Sequence, residues 1–175
     1  NPEPHLKIVK ALNTKRSGLT RNEISEATKI PANGNLTKVL KELEDSGFVL
    51  SYKDWTKAKK GNIYRLGDFY TIFYLDFVQE NYGDDENFWT NRIDSSMHRA
   101  WTGFAFELLC MNRISQIKAA LGISVVATRQ CSWRGEDESG KRSQIDLLID
   151  RRDGVIDLCE AKFAWFTGGL RYKII

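Results

Sequence analysis

The 175-residue sequence has few cysteines, no long apolar run and no secretory signal. Its three cysteines, Cys110, Cys131 and Cys159, lie far apart and form no CxxC pair. We therefore expect reduced thiols in a cytoplasmic protein, not a disulfide framework or a zinc site. No apolar run approaches the roughly 20 residues that cross a bilayer. No secretory signal opens the sequence, so we expect neither membrane insertion nor secretion.

The sequence also lacks a GxxxxGK[ST] loop, so the chain by itself has no cradle for ATP phosphates. Hydrophobic residues make up 42% and charged residues 28%, which is ordinary for a folded chain. The charge is uneven, because residues 1–68 contain 13 Lys or Arg and 8 Asp or Glu, whereas the remainder contains 13 and 15. A basic first part and a slightly acidic second part indicate two units with different partners.

The basic part has the pattern of three helices followed by two strands. Thr20 and Glu23 have the spacing of a capping box, and Gly47 is placed to end the third helix. Apolar spacing and turn residues predict these five elements at about residues 5–12, 20–28, 33–46, 48–52 and 62–66.

This order resembles the winged-helix domains of bacterial regulators, through Leu19–Ser25, Leu40–Gly47 and Tyr64–Leu66. In that fold the third helix enters the major groove and the hairpin contacts phosphates. The resemblance therefore implies DNA contacts from the third helix and the basic hairpin, through Asn35, Thr37, Lys38, Lys41, Lys53, Lys57, Lys59 and Lys60. The third helix has no arginine to bind guanine, and a winged helix that binds protein is the alternative.

Residues 69–94 are predicted to form a helical connector. Phe69, Phe73 and Phe77 recur at i, i+4 and i+8, which indicates an amphipathic helix over residues 69–82. An aromatic stripe of this kind packs against neighbouring elements, and we assign it no chemistry.

The second part begins with a predicted helix over residues 97–121 that Gly122 closes. The helix is apolar nearly all round between Ala100 and Met111, which predicts burial. Glu107 lies within this stretch, and a buried carboxylate needs a partner, a metal or a raised pKa. Three strands are then predicted over residues 123–133, 143–150 and 155–163, with a loop at 134–142 and a tight turn at 151–154.

The last two predicted strands carry ionisable side chains. Strand alternation places Gln144, Asp146 and Leu148 on one face, and Glu160 and Lys162 on one face of the next strand. A hairpin aligned around residues 152–153 brings Asp146 close to Glu160. Two carboxylates that converge in this way offer hard oxygen ligands to Mg²⁺.

A helix and then the order Asp–x13–Glu–x–Lys resemble the PD-(D/E)XK, or restriction-endonuclease-like, superfamily. The resemblance implies that Asp146, Glu160 and Glu107 hold Mg²⁺, and that Lys162 serves the attacking water. The implied catalytic set is Asp146, Glu160, Lys162 and Glu107. The alternative interpretation of Glu160 and Lys162 is a surface ion pair worth about 0–1 kcal/mol.

The whole sequence is similar to the C-terminal region of a prokaryotic (archaeal-type) AAA ATPase family. The similarity rests on Trp101–Glu107, Gln144–Asp150 and Leu158–Phe163, in addition to the winged-helix residues. It implies an α+β chain with a winged helix-turn-helix at 1–68, the connector at 69–94 and a nuclease-like domain at 95–175. It also implies that ATP binds only in an upstream ATPase domain that is absent here.

The nuclease-like domain is expected to be incomplete, ending after its third strand. Such an end leaves a sheet edge open, which favours a homodimer through that edge. The expected partners are DNA, the upstream ATPase domain and a second copy, with no membrane. The expected function is a nucleic-acid-binding winged helix joined to a Mg²⁺-dependent nuclease-like domain. The alternative is a non-catalytic regulatory module of an ATPase that binds protein.

Overall fold

The computed structural model describes residues 2–55, 61–81, 83, 85–136 and 138–163. The chain has a mixed α+β fold. It divides into two compact units, of which the first comprises Asn1–Tyr52 and Lys59–Ile93 and the second Lys53–Ala58 and Asp94–Ile175. Within the described residues, no helix is both long enough and apolar enough to cross a membrane.

Three helices and three short strands open the chain. They are α1 (Glu3–Thr14), β1 (Leu19–Thr20), α2 (Arg21–Thr28), α3 (Gly34–Asp45), β2 (Val49–Asp54) and β3 (Asn62–Leu66). β1 pairs antiparallel with β3, and β3 lies between β1 and β2. The predicted elements are thus present, and Lys53 lies in β2 and not in a hairpin tip.

The core of the first unit comes from the apolar faces of these helices. Ile8, Leu12, Ile24, Leu36 and Leu40 are at most 2% exposed. Within α1 and α3 these residues recur at i and i+4, which places them on one face of the helix. Burial of that apolar face stabilises the helical conformation of these segments. The predicted start of α2 and the predicted end of α3 are also present.

Three helix ends have clear caps, and those at Thr20 and Gly47 match their predicted chemistry. Thr20 caps α2, and both hydrogen bonds of the capping box with Glu23 are present. Asn33 caps α3 through its side-chain oxygen, which accepts from the backbone N–H groups of Asn35 and Leu36. Gly47 follows α3 with a φ of +79°, a conformation that favours glycine.

The capping glutamate makes the stability of the first unit depend on pH. Burial raises the pKa of the Glu23 carboxyl, but hydrogen bonds from Lys15 and Thr20 lower it to about 2 overall. Because the folded-state pKa lies below the unfolded value, stability present above pH 4.5 is lost as the pH falls toward 2. Solvent screens this partly exposed side chain, so we expect a loss of about 1 kcal/mol.

Urea unfolding at pH 6 and at pH 2.5 measures this loss. The wild type is expected to lose about 1 kcal/mol more than Glu23→Gln over this range. Glu26→Gln, an exposed glutamate on the same helix, is the matched control and is expected to behave like the wild type. Equal losses in the wild type and Glu23→Gln would contradict the assignment.

The aromatic segment changes its helix type part-way. α4 (Phe69–Phe73) continues into a π-helix (Tyr74–Val78), and a 3₁₀ turn follows at Thr90–Arg92. The rings of Phe73 and Phe77 each meet Trp89 edge-on, with centroids 4.9 and 5.4 Å away. Packing by this stripe is therefore confirmed, although the segment is not one regular α-helix; Tyr82 lies outside the described residues.

In the described part of the second unit, two helices and three further strands are present. They are α5 (Ser96–Asn112), α6 (Ile114–Ala120), β4 (Thr128–Glu136), β5 (Arg142–Arg151) and β6 (Ile156–Cys159). β5 pairs antiparallel with β4 and with β6. Lys53 and Asp54, which belong to this unit, pair in parallel with Cys131 and Ser132 of β4.

The prediction of one helix over residues 97–121 is wrong. The chain leaves helical geometry at Arg113, whose φ is −111° and ψ is 30°, and whose backbone N–H donates to the carbonyls of both Leu109 and Cys110. α5 therefore ends at Asn112, and α6 starts at Ile114. Gly122, with a φ of +70°, follows α6 as predicted.

The prediction that this helix is buried all round is also wrong. Within α5 only Leu108 and Met111 are buried among the described residues, residues 101–107 are half-buried, and Leu109 is 42% exposed. Glu107 is therefore half-buried, and its carboxylate does not carry the full desolvation cost that a buried position would impose.

The strand boundaries also differ from the sequence prediction. β4 begins at Thr128 and extends to Glu136, into the predicted loop, because its residues pair with β5 as far as Arg142. Residues 123–127 are not strand, although Ile123 is buried. β6 ends at Cys159, so the prediction that Glu160 and Lys162 lie within a strand is wrong.

The core of the second unit lies between α6 and the strands. Ile117 and Ile123 pack against Leu147 and Ile149 of β5 and against Cys159 of β6. Cys110, Ile114 and Val126 pack against the same cluster. This packing fixes β5 against β6, and so fixes the register on which the site described next depends.

Candidate functional site

Asp146 and Glu160 line one pocket of the second unit. β5 and β6 pair with Leu147 opposite Cys159 and Leu148 opposite Leu158. This is the register that the predicted turn implies, and continued one step beyond the last paired residues it would bring Asp146 opposite Glu160. Both carboxylates line a pocket of about 300 Å³, whose other lining residues are Gln144, Ile145, Leu158 and Cys159.

A β-bulge lies at Asp146. β4 and β5 pair with Cys131 opposite Leu148 and Trp133 opposite Ile145, so two residues of β5 face the single Ser132 of β4. The bulge interrupts the strict alternation that we expected from Gln144 to Leu148. Bulges re-aim side chains and are common beside active sites, and this one falls at the central residue of the candidate site.

Each of the two carboxylates has a polar partner within the described residues. The Gln144 side-chain amide donates to Asp146 Oδ1 over 2.9 Å. Lys162 Nζ lies 3.0 Å from Glu160 Oε1, with 70% of the lysine side chain and 51% of the glutamate side chain exposed. The Glu160–Lys162 contact is thus a surface ion pair, and its glutamate lines the same pocket as Asp146.

Glu107 does not join these two carboxylates in a metal-binding group. Among the described residues, no three or more His, Cys, Asp and Glu side chains are grouped so as to hold a metal ion. Glu107 instead lies close to Cys110: burial raises the pKa of this thiol, and the charge of Glu107 raises it further. Of the three side chains expected from the sequence to bind a metal, two, Asp146 and Glu160, line this pocket.

A pair of carboxylates still fits one hard cation. Mg²⁺ is usually held by one or two protein carboxylates and keeps several of its waters, so it needs no complete cage of side chains. The side-chain oxygen of Gln144 is a further hard donor that lines the same pocket. The donor set is all oxygen, which suits Mg²⁺ or Mn²⁺ and not zinc.

The expected nucleic-acid contacts on α3 are exposed, but both lysines have acidic neighbours. Asn35, Thr37, Lys38 and Lys41 are exposed. Lys38 lies 3.9 Å from Glu42 and Lys41 lies 3.3 Å from Asp45, each one helical turn further on. The carboxylates of Glu42 and Asp45 partly offset the positive charge of the two lysines, so this surface attracts phosphate less than two unpaired lysines would.

The predicted contacts of the hairpin are only partly within the described residues. Lys53 is exposed in β2, in the part of that strand that pairs with β4. Lys57, Lys59 and Lys60 lie outside the described residues. Of the four lysines expected to contact phosphates from the hairpin, only Lys53 is therefore within the described residues.

Two features near β4 were not foreseen from the sequence. Ser132 is 4% exposed, and its hydroxyl has no hydrogen-bond partner within the described residues. The Arg129 guanidinium donates to Asp150 over 2.7 and 3.2 Å, and it lies 5.6 Å from the ring centroid of Trp55. Neither could be found beforehand, because each depends on the pairing of β4 with segments distant in sequence.

No protein-family model, curated protein or solved structure matches this chain.

Proposed function

We propose that the chain is a winged-helix domain joined to a restriction-endonuclease-like domain that hydrolyses phosphodiesters with Mg²⁺. The observation that carries the proposal is the shared pocket of Asp146 and Glu160 at a β-bulge, with Lys162 bound to Glu160. Two carboxylates and an ammonium group beside one pocket match the Asp, Glu and Lys of the motif. The parent protein is proposed to be an AAA-family ATPase whose ATP-binding domain precedes this segment.

The order of elements in the first unit supports the winged-helix part of the proposal. α1, β1, α2 and α3 precede β2 and β3, and β3 lies between β1 and β2. The exposed polar side of α3 is then the surface that would meet DNA. The three cysteines are free, which supports a cytoplasmic protein.

The residues of the pocket would divide the chemistry as follows. Asp146 and Glu160 would hold the cation, and Gln144 would orient Asp146 through its hydrogen bond. When bound, Mg²⁺ supplies a water of lowered pKa and offsets charge on the scissile phosphate. Lys162, which lies beside Glu160, would orient the attacking water and stabilise the negative charge that develops on the phosphoryl oxygens.

A second candidate is a non-catalytic module that binds protein. The exposed Glu160–Lys162 ion pair and the half-buried Glu107, which joins no metal-binding group, favour it. On this alternative Asp146 and Glu160 are structural and hold no cation. Cation binding therefore separates the two candidates.

Calorimetric titration with Mn²⁺ tests the proposed cation site. We expect one Mn²⁺ per chain, and at least about 10-fold weaker binding in Asp146→Asn and in Glu160→Gln, because each loses an anionic ligand. Asp150→Asn is the matched control, since Asp150 is on the same strand but binds Arg129 and does not line the pocket. Binding that is the same in all four proteins would exclude the pocket and leave the protein-binding module.

A further inference from the structure

A second groove lies in the first unit, between α1 and the aromatic helical segment 69–78. It has a volume of about 300 Å³, similar to the pocket of the second unit but with different chemistry. Its lining residues are Leu6, Val9, Lys10, Tyr70, Thr71, Tyr74, Leu75 and Gln79. None of them belongs to the Asp146–Glu160 pocket, so the groove is independent of the proposed function.

The two sides of the groove are tied together by one acidic side chain. Asp76 accepts a hydrogen bond from the Asn13 side-chain amide over 2.8 Å and another from the Arg16 guanidinium. The Asp76 side chain is 14% exposed, so little solvent competes with these bonds. They hold α1 and the π-helix at a set separation, which preforms the groove and lowers the entropy cost of filling it.

Large apolar side chains of the groove are exposed to solvent. Tyr70 is 73% exposed, Leu6 52% and Tyr74 37%. The rings of Tyr70 and Tyr74 stack with centroids 6.5 Å apart, so they form one continuous aromatic surface. The π-helix begins at Tyr74, and π-helical turns occur frequently at functional sites. Exposed tyrosines beside an apolar groove are typical of interaction surfaces.

The charge around the groove selects its partner. Lys10 is the one charged residue that lines it within the described part of the chain. α1 also carries Lys7, which pairs with Glu3 at 2.8 Å, while Lys10 remains exposed at the rim. The lining residues on the opposite side, Tyr70, Thr71 and Gln79, carry no charge. A partner with acidic residues along one flank would complement this arrangement.

We propose that this groove binds an amphipathic helix with an acidic flank. Its apolar residues at i and at i+3 or i+4 would enter between α1 and segment 69–78, as the ridge of a third helix packs between two others. Its acidic flank would face Lys10. A pocket of this volume holds one or two large side chains, which would be the anchors of the interface.

Single-stranded nucleic acid fits the groove less well. Such ligands need a row of cations along the backbone and open aromatic faces on which bases stack. Here a single lysine lines the groove within the described residues, and its lining includes the apolar side chains of Val9 and Leu75. The observations therefore favour a peptide.

The test is a display selection of 16-residue helical peptides on the full 175-residue chain, with counter-selection on the Tyr70→Ser/Tyr74→Ser double variant. We expect enriched peptides to have apolar residues at helical spacing and an acidic flank. Anisotropy titration of an enriched peptide is expected to show at least about 10-fold weaker binding to the double variant. Leu121→Ser, a similarly exposed apolar position of the second unit, is the matched control and is expected to bind as the wild type does.

A charge swap tests the role of Lys10 without relying on the tyrosines. Lys10→Glu is expected to weaken the acidic peptide by about 3- to 10-fold and to strengthen a copy of it with lysines on the flank. Peptides that do not distinguish the wild type from the tyrosine variant would overturn the proposal, as would enriched peptides without acidic residues. Loss of oligonucleotide binding in the tyrosine variant, with no peptide enriched, would replace the peptide by single-stranded nucleic acid.

Discussion

Under the proposed function, Asp146→Asn is expected to lower the rate of Mg²⁺-dependent phosphodiester cleavage by about 100-fold or more. The substitution keeps the size of the side chain and its capacity to contact Gln144, but it removes an anionic oxygen from the pocket shared with Glu160. Lys162→Met is expected to lower the rate by a similar factor while leaving Mn²⁺ affinity within about 3-fold, because the ammonium group acts on the phosphate and water and not as a ligand. Cleavage of supercoiled plasmid DNA in Mg²⁺ or Mn²⁺ measures both.

Asp150→Asn supplies the comparison for these rates. Asp150 lies four residues further along β5 and is held by Arg129, outside the pocket. Its cleavage rate is expected to match the wild type. If Asp146→Asn cleaves DNA as fast as Asp150→Asn, the activity belongs to another site or to a contaminant, and Asp146 has no part in it.

The largest loss of stability from a single methyl group is expected at Gly18. Gly18 has a φ of +86°, and a Cβ there would lie 2.6 Å from the Tyr64 carbonyl oxygen and 2.8 Å from Ile63 Cγ2. Gly18→Ala therefore combines an unfavourable backbone conformation with overlap against β3. We expect the free energy of unfolding of the first unit to fall by about 3 kcal/mol.

Gly47→Ala separates these two contributions. Gly47 has a similar φ of +79°, but a Cβ there would meet no atom within 4 Å. Its loss is expected to be about 1 kcal/mol, which is the backbone cost alone. Urea unfolding of the wild type, Gly18→Ala and Gly47→Ala measures the two losses in free energy of unfolding. Equal losses would contradict the expected contribution from overlap with β3.

The helices of the first unit could be predicted from the sequence because their signals are local. Thr20 and Glu23 are three residues apart, and the bonds between them need no other part of the chain. The apolar residues of α3 recur at helical spacing, and all four, Leu36, Val39, Leu40 and Leu43, are buried. Local chemistry and the helical period thus agree with the fold along this stretch.

The break at Arg113 could not be predicted in the same way. No proline or glycine interrupts residues 97–121 except Gly103, and Gly103 lies within regular α5. The break instead allows Ile117 to reach Leu147 and Ile149, which are at least 30 residues away in sequence. Tertiary packing decides such a position, and the spacing of apolar residues alone does not reveal it.

The candidate site was predictable in part. The turn at residues 151–154 set the register of β5 and β6, and with it the closeness of Asp146 to Glu160. The bulge opposite Ser132 was not predictable, because it arises from pairing with β4 and not from β5 itself. The exposure of Tyr70 and Tyr74 was missed for a similar reason: an aromatic stripe indicates packing, and only its neighbours decide which rings are left outside.

The bonds from Asn13 and Arg16 to Asp76 have a consequence for how the chain is made. Sixty residues separate Arg16 from Asp76, so during synthesis α1 leaves the ribosome well before its acceptor does. A nascent chain, or a truncated clone, that ends at Asp68 contains all three opening helices and both strands of the hairpin but lacks this tie. A fragment that extends to Ile93, where the first unit ends, retains both the tie and the Phe73–Phe77–Trp89 cluster.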